Sequence, residues 1–576
     1  MIHVDLVGDR IAAHIEAAPE AFDRHLNILK AIPSSRVDRK TGKRVFDATS
    51  GVAYEIERIC RSAAVELRWT ETFLQLLKKA IARRKIIANP ADYHGEIADW
   101  TGLPLRAHQR AGARLIAVSD GCYLAWEMGT GKTLCAVAAA KLLALARVLV
   151  VCPKRVAPAW ERHFREHDPN RVVVMAHDGS TKVRAGMIRQ AMDGTGFLGG
   201  AKQLAVVVNY EGLIQDAIRD LVLEIEWDLL VGDEAHRLKS ATGVAAKLFG
   251  EIRKNSHRCV LLSGTPIQSN PDDLYMQCRV LDPGIFGTSK SSFMDRYAIF
   301  GAGDQVVGFN HLDQIAERFG LVAFRVKKSD VLELPPETTT IMEIDISAKA
   351  RKIYDSIRGS LVADIDDSTK KVTVTSVLTE LLRLQQVTGG SVRFDDDDRV
   401  TEVDTAKRDA LQEMMEDLPR HEPLVVFCRF KHDIEQVRRA AEASKRQCAV
   451  VAGGESGEGL ARWQNAGDGC EPSVVAVQID AGGEGIDLSR ACRSVFYSLG
   501  FSFGRFDQAK ARLHRMGQKR NVEHTMLVVR DSIDEVIHAI LDAKGRRAEQ
   551  VVDAGSETSR FTREVVRRVL GRELSE

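Results

Sequence analysis

The stretch Y-L-A-W-E-M-G-T-G-K-T, Tyr123–Thr133, decides the fold. An apolar run ends in a glycine-containing turn, and L-C-A-V-A-A-A-K-L-L, Leu134–Leu143, continues as a helix. Strand, glycine turn and helix make the setting a phosphate-binding loop requires. Backbone N–H groups wrap the phosphates, and the helix N-terminus faces them. Gly129 and Gly131 let the backbone approach closely around Thr130. Lys132 supplies a point charge to the β- and γ-phosphates of a nucleotide, and Thr133 offers a hydroxyl to Mg²⁺. The strict spacing G-x-x-x-x-G-K-[ST] is not met, because Trp126 holds the first glycine position.

Outward from this loop, three further segments carry chemistry. W-D-L-L-V-G-D-E-A-H, Trp227–His236, is an apolar strand ending in two adjacent carboxylates. At the C-terminal edge of a parallel sheet, Asp233 would hold Mg²⁺ through water and Glu234 would orient an attacking water. An acidic helix start would explain the same pair electrostatically. In V-L-L-S-G-T-P-I-Q, Val260–Gln268, a strand ends in Ser263 and Thr265. Their hydroxyls could bond the Asp233–His236 segment and report the state of the γ-phosphate; an ordinary Ser-Gly-Thr turn is the plainer reading. In L-R-A-H-Q-R-A-G, Leu105–Gly112, Gln109 has an amide able to pair with both a donor and an acceptor of an adenine edge.

These segments sit in a rhythm. Short β-branched runs (Val148–Val151, Leu204–Val208, Leu229–Val231, Cys259–Leu262) end in Gly, Pro or Asp and lead into helical stretches. The pattern returns at Leu424–Cys428, Cys448–Val451, Val474–Gln478, Ser494–Ser498 and Thr525–Val529. Such alternation predicts an α/β fold with two parallel sheets covered by helices on both faces. The expected organisation is a small N-terminal α+β region over residues 1–100, with a hairpin-like stretch at Arg36–Phe46. A first lobe follows over 101–285, then a helical connector with an acidic turn at Asp395–Asp398 over 286–405. A second lobe spans 406–552, and a tail 553–576.

The 576 residues suffice for about three to five domains, each with its own core. A hydrophobic fraction of 44% and a charged fraction of 28% are those of ordinary globular protein. Lys+Arg 81 nearly cancels Asp+Glu 80, so any nucleic-acid surface must be a local patch. The ten cysteines form no C-x-x-C pair and no Cys/His zinc spacing, and those in runs such as V-L-V-V-C-P (Cys152) and L-V-V-F-C (Cys428) read as buried thiols. No secretory signal and no apolar run of membrane-spanning length is read. The expectation is therefore a cytoplasmic protein without membrane or zinc.

Phosphoryl transfer needs positive charge at its transition state, and F-D-Q-A-K-A-R-L-H-R-M-G-Q-K-R, Phe506–Arg520, offers it. Arg512 and Arg515 are three apart and would share one helix face, though a solvated basic helix has the same spacing. The order of motifs then becomes informative. Gln109, G-T-G-K-T, D-E-A-H, S-G-T-P-I-Q, A-G-G-E-G-I-D-L (Ala481–Leu488) and Q-A-K-A-R-L-H-R-M-G-Q follow the order of helicase superfamily two. The chain resembles its Swi/Snf-type branch over about residues 100–550, through a helix at Ile533–Val552.

The resemblance implies two RecA-like lobes, with ATP and Mg²⁺ served by Lys132, Thr133, Asp233 and Glu234. Gln508, Arg512 and Arg515, beside Gly485 and Asp487, would complete the site. It also implies duplex or forked DNA as a sequence-independent partner. Pro153, Lys154, Asn209, Tyr210, Arg429 and Gly483 are the contact candidates, with His236, Ser263 and Thr265 coupling the two activities. Trp126 and Ala511 stand where the family usually or often has Asp, and Asp487 replaces its common Asn. Leu26–Phe46 resembles, faintly, the HARP-type accessory domain of annealing helicases; a plain docking module reads equally well. The implied function is a duplex-DNA translocase of compact bacterial or phage type. The alternatives are a strand-separating DNA or RNA helicase, a non-hydrolysing scaffold with ATP as ligand, and a motor subunit of a defence complex.

Overall fold

The computed structural model describes residues 1–7, 10–32, 35–88, 105–194, 203–301, 305–366, 374–393, 400–453, 458–466, 471–479 and 486–553. They fall into two compact units, the first built mainly from Met1–Val331 and the second mainly from Leu332–Arg547.

At the heart of the first unit is a seven-stranded sheet. Its order is Ala323–Val326, Gly121–Trp126, Ser256–Leu262, Trp227–Asp233, Arg147–Cys152, Leu204–Asn209, Val172–Ala176, and every pairing is parallel. Alternation along each strand explains why the runs read as continuously apolar. Leu149 and Val151 pack into one core and Val148, Val150 and Cys152 into the other, so both faces are covered. The second unit repeats the design with six parallel strands, in the order Glu337–Ile344, Val522–Val529, Arg493–Phe496, Leu424–Cys428, Val474–Gln478, Cys448–Val451. Leu424, Val426 and Cys428 face one core, Val425 and Phe427 the other. These are the two parallel-sheet lobes that the sequence leads one to expect, and the helix expected near the C-terminus runs Ile533–Asp553.

The lobe limits differ from the sequence reading. Ala323–Val326 and Glu337–Ile344, inside the stretch assigned to a connector, are the edge strands of the two sheets. The physical reason is that edge strands need little apolar surface. Glu337–Ile344 (E-T-T-T-I-M-E-I) is exposed over most of its length, and the other has only four residues. The acidic turn Asp395–Asp398 and residues 554–576 of the tail lie outside the described residues.

The N-terminal region has its own five-stranded sheet, and the hairpin is present: Arg36–Val37 pairs antiparallel with Arg44–Asp47. Ile2, Val4, Ile11, Phe46, Ile56 and Phe73 form its core. It is nevertheless part of the first unit, and a buried carboxylate is among the groups that dock it. Asp282 accepts from Gly51 N at 2.8 Å and from Thr49 Oγ1 at 2.5 Å, and Arg83 Nη2 stands 3.7 Å away. A Cβ at position 51 would sit 2.2 Å from Asp282 Oδ2, so only glycine admits this approach. Arg83 also donates to the Gly121 carbonyl at 3.1 Å, so this buried guanidinium belongs to the joint.

Candidate functional site

The strand Gly121–Trp126 ends where the neighbouring strands also end, since Leu262 is in register with both Leu124 and Asp233. The phosphate-loop sequence, the Ser263–Thr265 turn and the Asp233–Glu234 pair thus emerge on the same C-terminal sheet edge, where parallel sheets carry their ligands. The loop turns through Gly129 (φ 82°) and Gly131 (φ 87°) into the helix Lys132–Leu142. Gly131 sits in a conformation that favours glycine. Its φ is left-handed, and a Cβ there would meet Gln109 Nε2 at 2.1 Å.

Lys132 Nζ donates to the carbonyls of Trp126 at 2.8 Å and Glu127 at 3.2 Å, which holds the ammonium across the loop. Thr130 Oγ1 closes the turn on the Glu127 carbonyl at 2.7 Å, and Thr133 lies half-buried in the first helical turn. Gln109 is engaged by the chain itself. Its Oε1 accepts from Arg106 N at 2.9 Å and its Nε2 donates to the Thr130 carbonyl at 3.2 Å. One lone pair and one N–H remain, the number that an adenine edge uses. Trp126 is explained by its packing: it is fully buried, edge-on to His108 and Phe324, and a Cβ on Gly112 would touch it at 2.6 Å. The residue at the first glycine position therefore points into the core, away from the loop.

Asp233 and Glu234 are both buried. Glu234 adopts a left-handed conformation (φ 50°, ψ 54°), uncommon for a residue with a Cβ, as the strand breaks into a short turn. Burial and the neighbouring Glu234 carboxylate push Asp233 up to about 6, against the pull of Trp160 and Lys132. That Lys132 acts on Asp233 brings the loop and the carboxylate pair into one electrostatic neighbourhood. His236 Nδ1 lies 3.4 Å from Glu234 Oε2 and 3.4 Å from Ser263 Oγ. Ser263 Oγ accepts from Thr265 N at 3.2 Å, and Thr265 Oγ1 from Gln268 Nε2 at 3.1 Å. A continuous polar chain thus runs from the carboxylate to the next turn.

Sequence reasoning missed Trp160. Its indole N–H donates to Asp233 Oδ2 at 2.8 Å, while Glu234 N donates to Oδ1 at 2.9 Å. A tryptophan at helical spacing reads as core, and nothing in the local pattern distinguishes one whose N–H meets a carboxylate. Two of the DNA-contact candidates have buried side chains. Tyr210 is buried, with its hydroxyl on the Asp233 carbonyl at 2.8 Å, and Pro153 is buried too. Neither side chain faces solvent. Asn209 is buried and donates to Glu211 Oε2 at 2.8 Å; Lys154 is exposed, paired with Asp178 at 2.7 Å.

In the second unit, Arg515 Nη1 lies 3.5 Å from Asp487 Oδ2, and Leu488 N donates to the Arg512 carbonyl at 3.2 Å. The two motifs therefore meet. They do so outside a helix: Phe503–Lys510 ends before Arg512, and the chain proceeds by tight turns to Gly517 at φ 101°. The helical-face argument for the arginine pair is thus corrected; turn bonds such as Leu513 N to the Lys510 carbonyl at 3.1 Å set their positions. Gln508 and Ala511 are buried, and an alanine at 511 avoids burying a charge. Arg429 bonds the Gln385 amide oxygen, and its backbone N–H donates to Ser498 Oγ at 2.8 Å. Gly483 and Gly485 lie outside the described residues.

Nine cysteines are described, all free and eight of them buried, and burial pushes the Cys60 thiol up to about 11. Among the described residues no helix is long and apolar enough to cross a membrane.

The fold is thus two parallel-sheet lobes, the first with a glycine-turned loop and a buried carboxylate pair on one sheet edge. The sequence matches the SNF2-related domain over residues 51–389 and the helicase conserved C-terminal domain over 406–517. The chain belongs to the SNF2-related family. Among similar proteins, the mouse "Chromodomain-helicase-DNA-binding protein 1-like" is 26% identical over 80% of this chain and 51% of its own length. The mouse "DNA annealing helicase and endonuclease ZRANB3" is 25% identical over 74% of this chain and 39% of its own. An uncharacterized ATP-dependent helicase of Mycoplasma genitalium is 23% identical over 81% and 44%. The chain spans about half the length, or less, of these relatives. The solved Sulfolobus solfataricus SWI2/SNF2 ATPase core in complex with dsDNA is 21% identical, covering 82% of this chain and 98% of that one, at a TM-score of 0.36.

Proposed function

We propose that this chain is a DNA-stimulated ATPase that uses ATP hydrolysis to translocate along duplex DNA, remodelling it or displacing bound protein. The observation that carries the reading is the buried Asp233–Glu234 pair, set on the same sheet edge as the Lys132 loop and within its electrostatic reach. Two adjacent buried carboxylates, one pushed up to about 6, make an environment that a divalent cation relieves. The residues therefore fit Mg²⁺, with Thr133 and Asp233 as its holders; when bound, the ion neutralises phosphate charge. The loop N–H groups and Lys132 hold the nucleotide phosphates, and Gln109 reads adenine with its remaining donor and acceptor. Glu234 orients water and accepts its proton. Arg512 and Arg515 supply positive charge to the phosphoryl group in flight, with Gln508 and Asp487 as neighbours. His236, Ser263 and Thr265 transmit the state of Glu234 to the following turn.

The printed names of the relatives, with DNA binding and DNA annealing among them, support DNA as the partner. Lys154 and Arg429 are the side chains retained as phosphate contacts, and the Asn209 segment would contribute through its backbone. Contacts of this kind carry no base information, so binding should be sequence-tolerant and weaken steeply with salt. The test is steady-state ATP hydrolysis with no nucleic acid, then with duplex, forked and single-stranded DNA and RNA. Stimulation chiefly by duplex or forked DNA is expected. Stimulation chiefly by single strands or RNA would overturn translocation in favour of strand separation, and no hydrolysis under any condition would favour a scaffold.

Trp160 gives a second test. Hydrogen bonds to a charged group are worth about 1.5–3 kcal/mol, so Trp160→Phe should weaken the Asp233–Mg²⁺ interaction by about tenfold or more. The expected readout is a raised Mg²⁺ requirement for binding a fluorescent nucleotide, with an unchanged circular dichroism spectrum. An unchanged Mg²⁺ titration would exclude this role for the indole.

A further inference from the structure

The helix Ala157–His167 ends on H-F-R-E-H, His163–His167. Positions 163 and 167 are one helical turn apart and 166 flanks them, so two imidazoles and a carboxylate share one side of the helix. One ligand atom from each of His163, Glu166 and His167 lies within 4.8 Å of the other two. The two rings are 5.6 Å apart, centroid to centroid, and inclined by 32°. His167 Nε2 stands 3.7 Å from Glu166 Oε2. On the same helix, Trp160 and Phe164 are buried with ring centroids 6.0 Å apart, which fixes its rotation and hence the direction of the histidine face. His163 Nδ1 is buried and has no hydrogen-bond partner among the described residues.

We propose that His163, Glu166 and His167 bind a zinc-class divalent cation, with the two imidazoles as direct ligands, the carboxylate as third and water as fourth. Zinc accepts this mixed nitrogen and oxygen set in a tetrahedron with bonds of about 2.0–2.2 Å, which small side-chain rotations from the present separations reach. Imidazole selects zinc, copper or nickel over magnesium, whose preference is for oxygen. The site is therefore chemically separate from Asp233 and Thr133, and the proposal stands independently of the motor reading. Lys141, a cation on a neighbouring helix, donates to the His167 carbonyl at 2.7 Å and is thus directed at backbone rather than at the rings. Arg165, between the ligands in sequence, is paired with Glu161 at 2.6 Å.

The bound ion would cross-link the last turn of this helix. The same helix carries Trp160, whose N–H holds Asp233, so occupancy would stiffen the support of the carboxylate pair. The expectation of no zinc rests on cysteine pairs and Cys/His spacings, and a site of two histidines one helical turn apart with a glutamate overturns it.

The test uses the metal-free full chain without nucleotide, titrated with Co²⁺ and then with competing Zn²⁺. The expected result is one equivalent bound, with the visible absorption of tetrahedral cobalt on nitrogen and oxygen ligands. The His163→Gln/His167→Gln double variant should lose about 100-fold or more in Zn²⁺ affinity, and Glu166→Gln about tenfold. If the double variant does not fold, His167→Gln alone should show the same loss, since its side chain is partly exposed. No binding by the parent, binding by the variants at the parent's affinity, or the intense absorption of thiolate-bound cobalt would each overturn the proposal.

Discussion

Glu234→Gln is expected to bind ATP as tightly as the parent and to hydrolyse it about 10²–10⁴-fold more slowly, the span typical of a lost general base. Glutamine keeps the volume and the hydrogen-bonding oxygen, so the left-handed backbone at φ 50° has no new reason to relax. What is lost is the capacity to accept a proton. Binding should survive because the neighbouring charge disappears. Glu234 is one of the groups pushing Asp233 up to about 6, so its neutralisation leaves Asp233 more fully ionised at neutral pH. Steady-state hydrolysis on duplex DNA, with equilibrium binding of a fluorescent ATP analogue, separates the two effects. Turnover close to that of the parent would remove Glu234 from the role of base. A joint loss of binding and turnover would make it a structural residue.

The groups around that carboxylate were unequally legible in the sequence. Lys132, Asp233, Ser263 and Thr265 announce themselves because each follows an apolar strand at a glycine, acidic or hydroxyl punctuation, and the parallel sheet brings such strand ends to one edge. Trp160 did not, because its partner Asp233 is 73 residues away and an aromatic residue at helical spacing satisfies the core pattern equally well. Tyr210 is likewise more than its local pattern conveys. The family resemblance offers it as a DNA contact, and the structure shows a buried ring whose hydroxyl donates to the Asp233 carbonyl. Both cases turn on a single polar atom of an aromatic side chain, which hydrophobic periodicity cannot register.

The fold shows the same division. Interior strands such as Leu204–Asn209 and Leu424–Cys428 are buried on both faces and stand out as apolar runs. Glu337–Ile344 is mostly exposed and its composition resembles a loop, so the second lobe begins well before the sequence suggests. The docking of the N-terminal region is equally hidden. Asp282 is 231 residues from Gly51, and a lone aspartate before a proline reads as a turn, not as the buried acceptor of a distant N–H. Long-range polar pairs of this kind leave no local trace, although their burial makes them costly to lose.

Arg515→Ala is expected to slow hydrolysis by about 10³–10⁵-fold, with little change in nucleotide affinity, because an arginine finger acts on charge that develops only in the transition state. Its surroundings suit that task. Arg515 is 32% exposed and its partner Asp487 52%, at a separation of 3.5 Å. A pair so open to solvent is worth no more than about 1 kcal/mol, so it orients the guanidinium without tying it down. Asp487 is itself held by Ser489, whose N–H and hydroxyl donate to Oδ1 at 2.9 Å and 2.7 Å. The departure from asparagine at 487 thus gives the arginine an anionic rest position that an amide would not. Arg515→Lys should recover only part of the rate, since lysine returns the charge but not the planar fork. Single-turnover hydrolysis of prebound ATP on duplex DNA measures the chemical step directly. If Arg515→Ala hydrolyses normally while Arg512→Ala does not, the finger is Arg512, and the Asp487 contact marks Arg515 as its support.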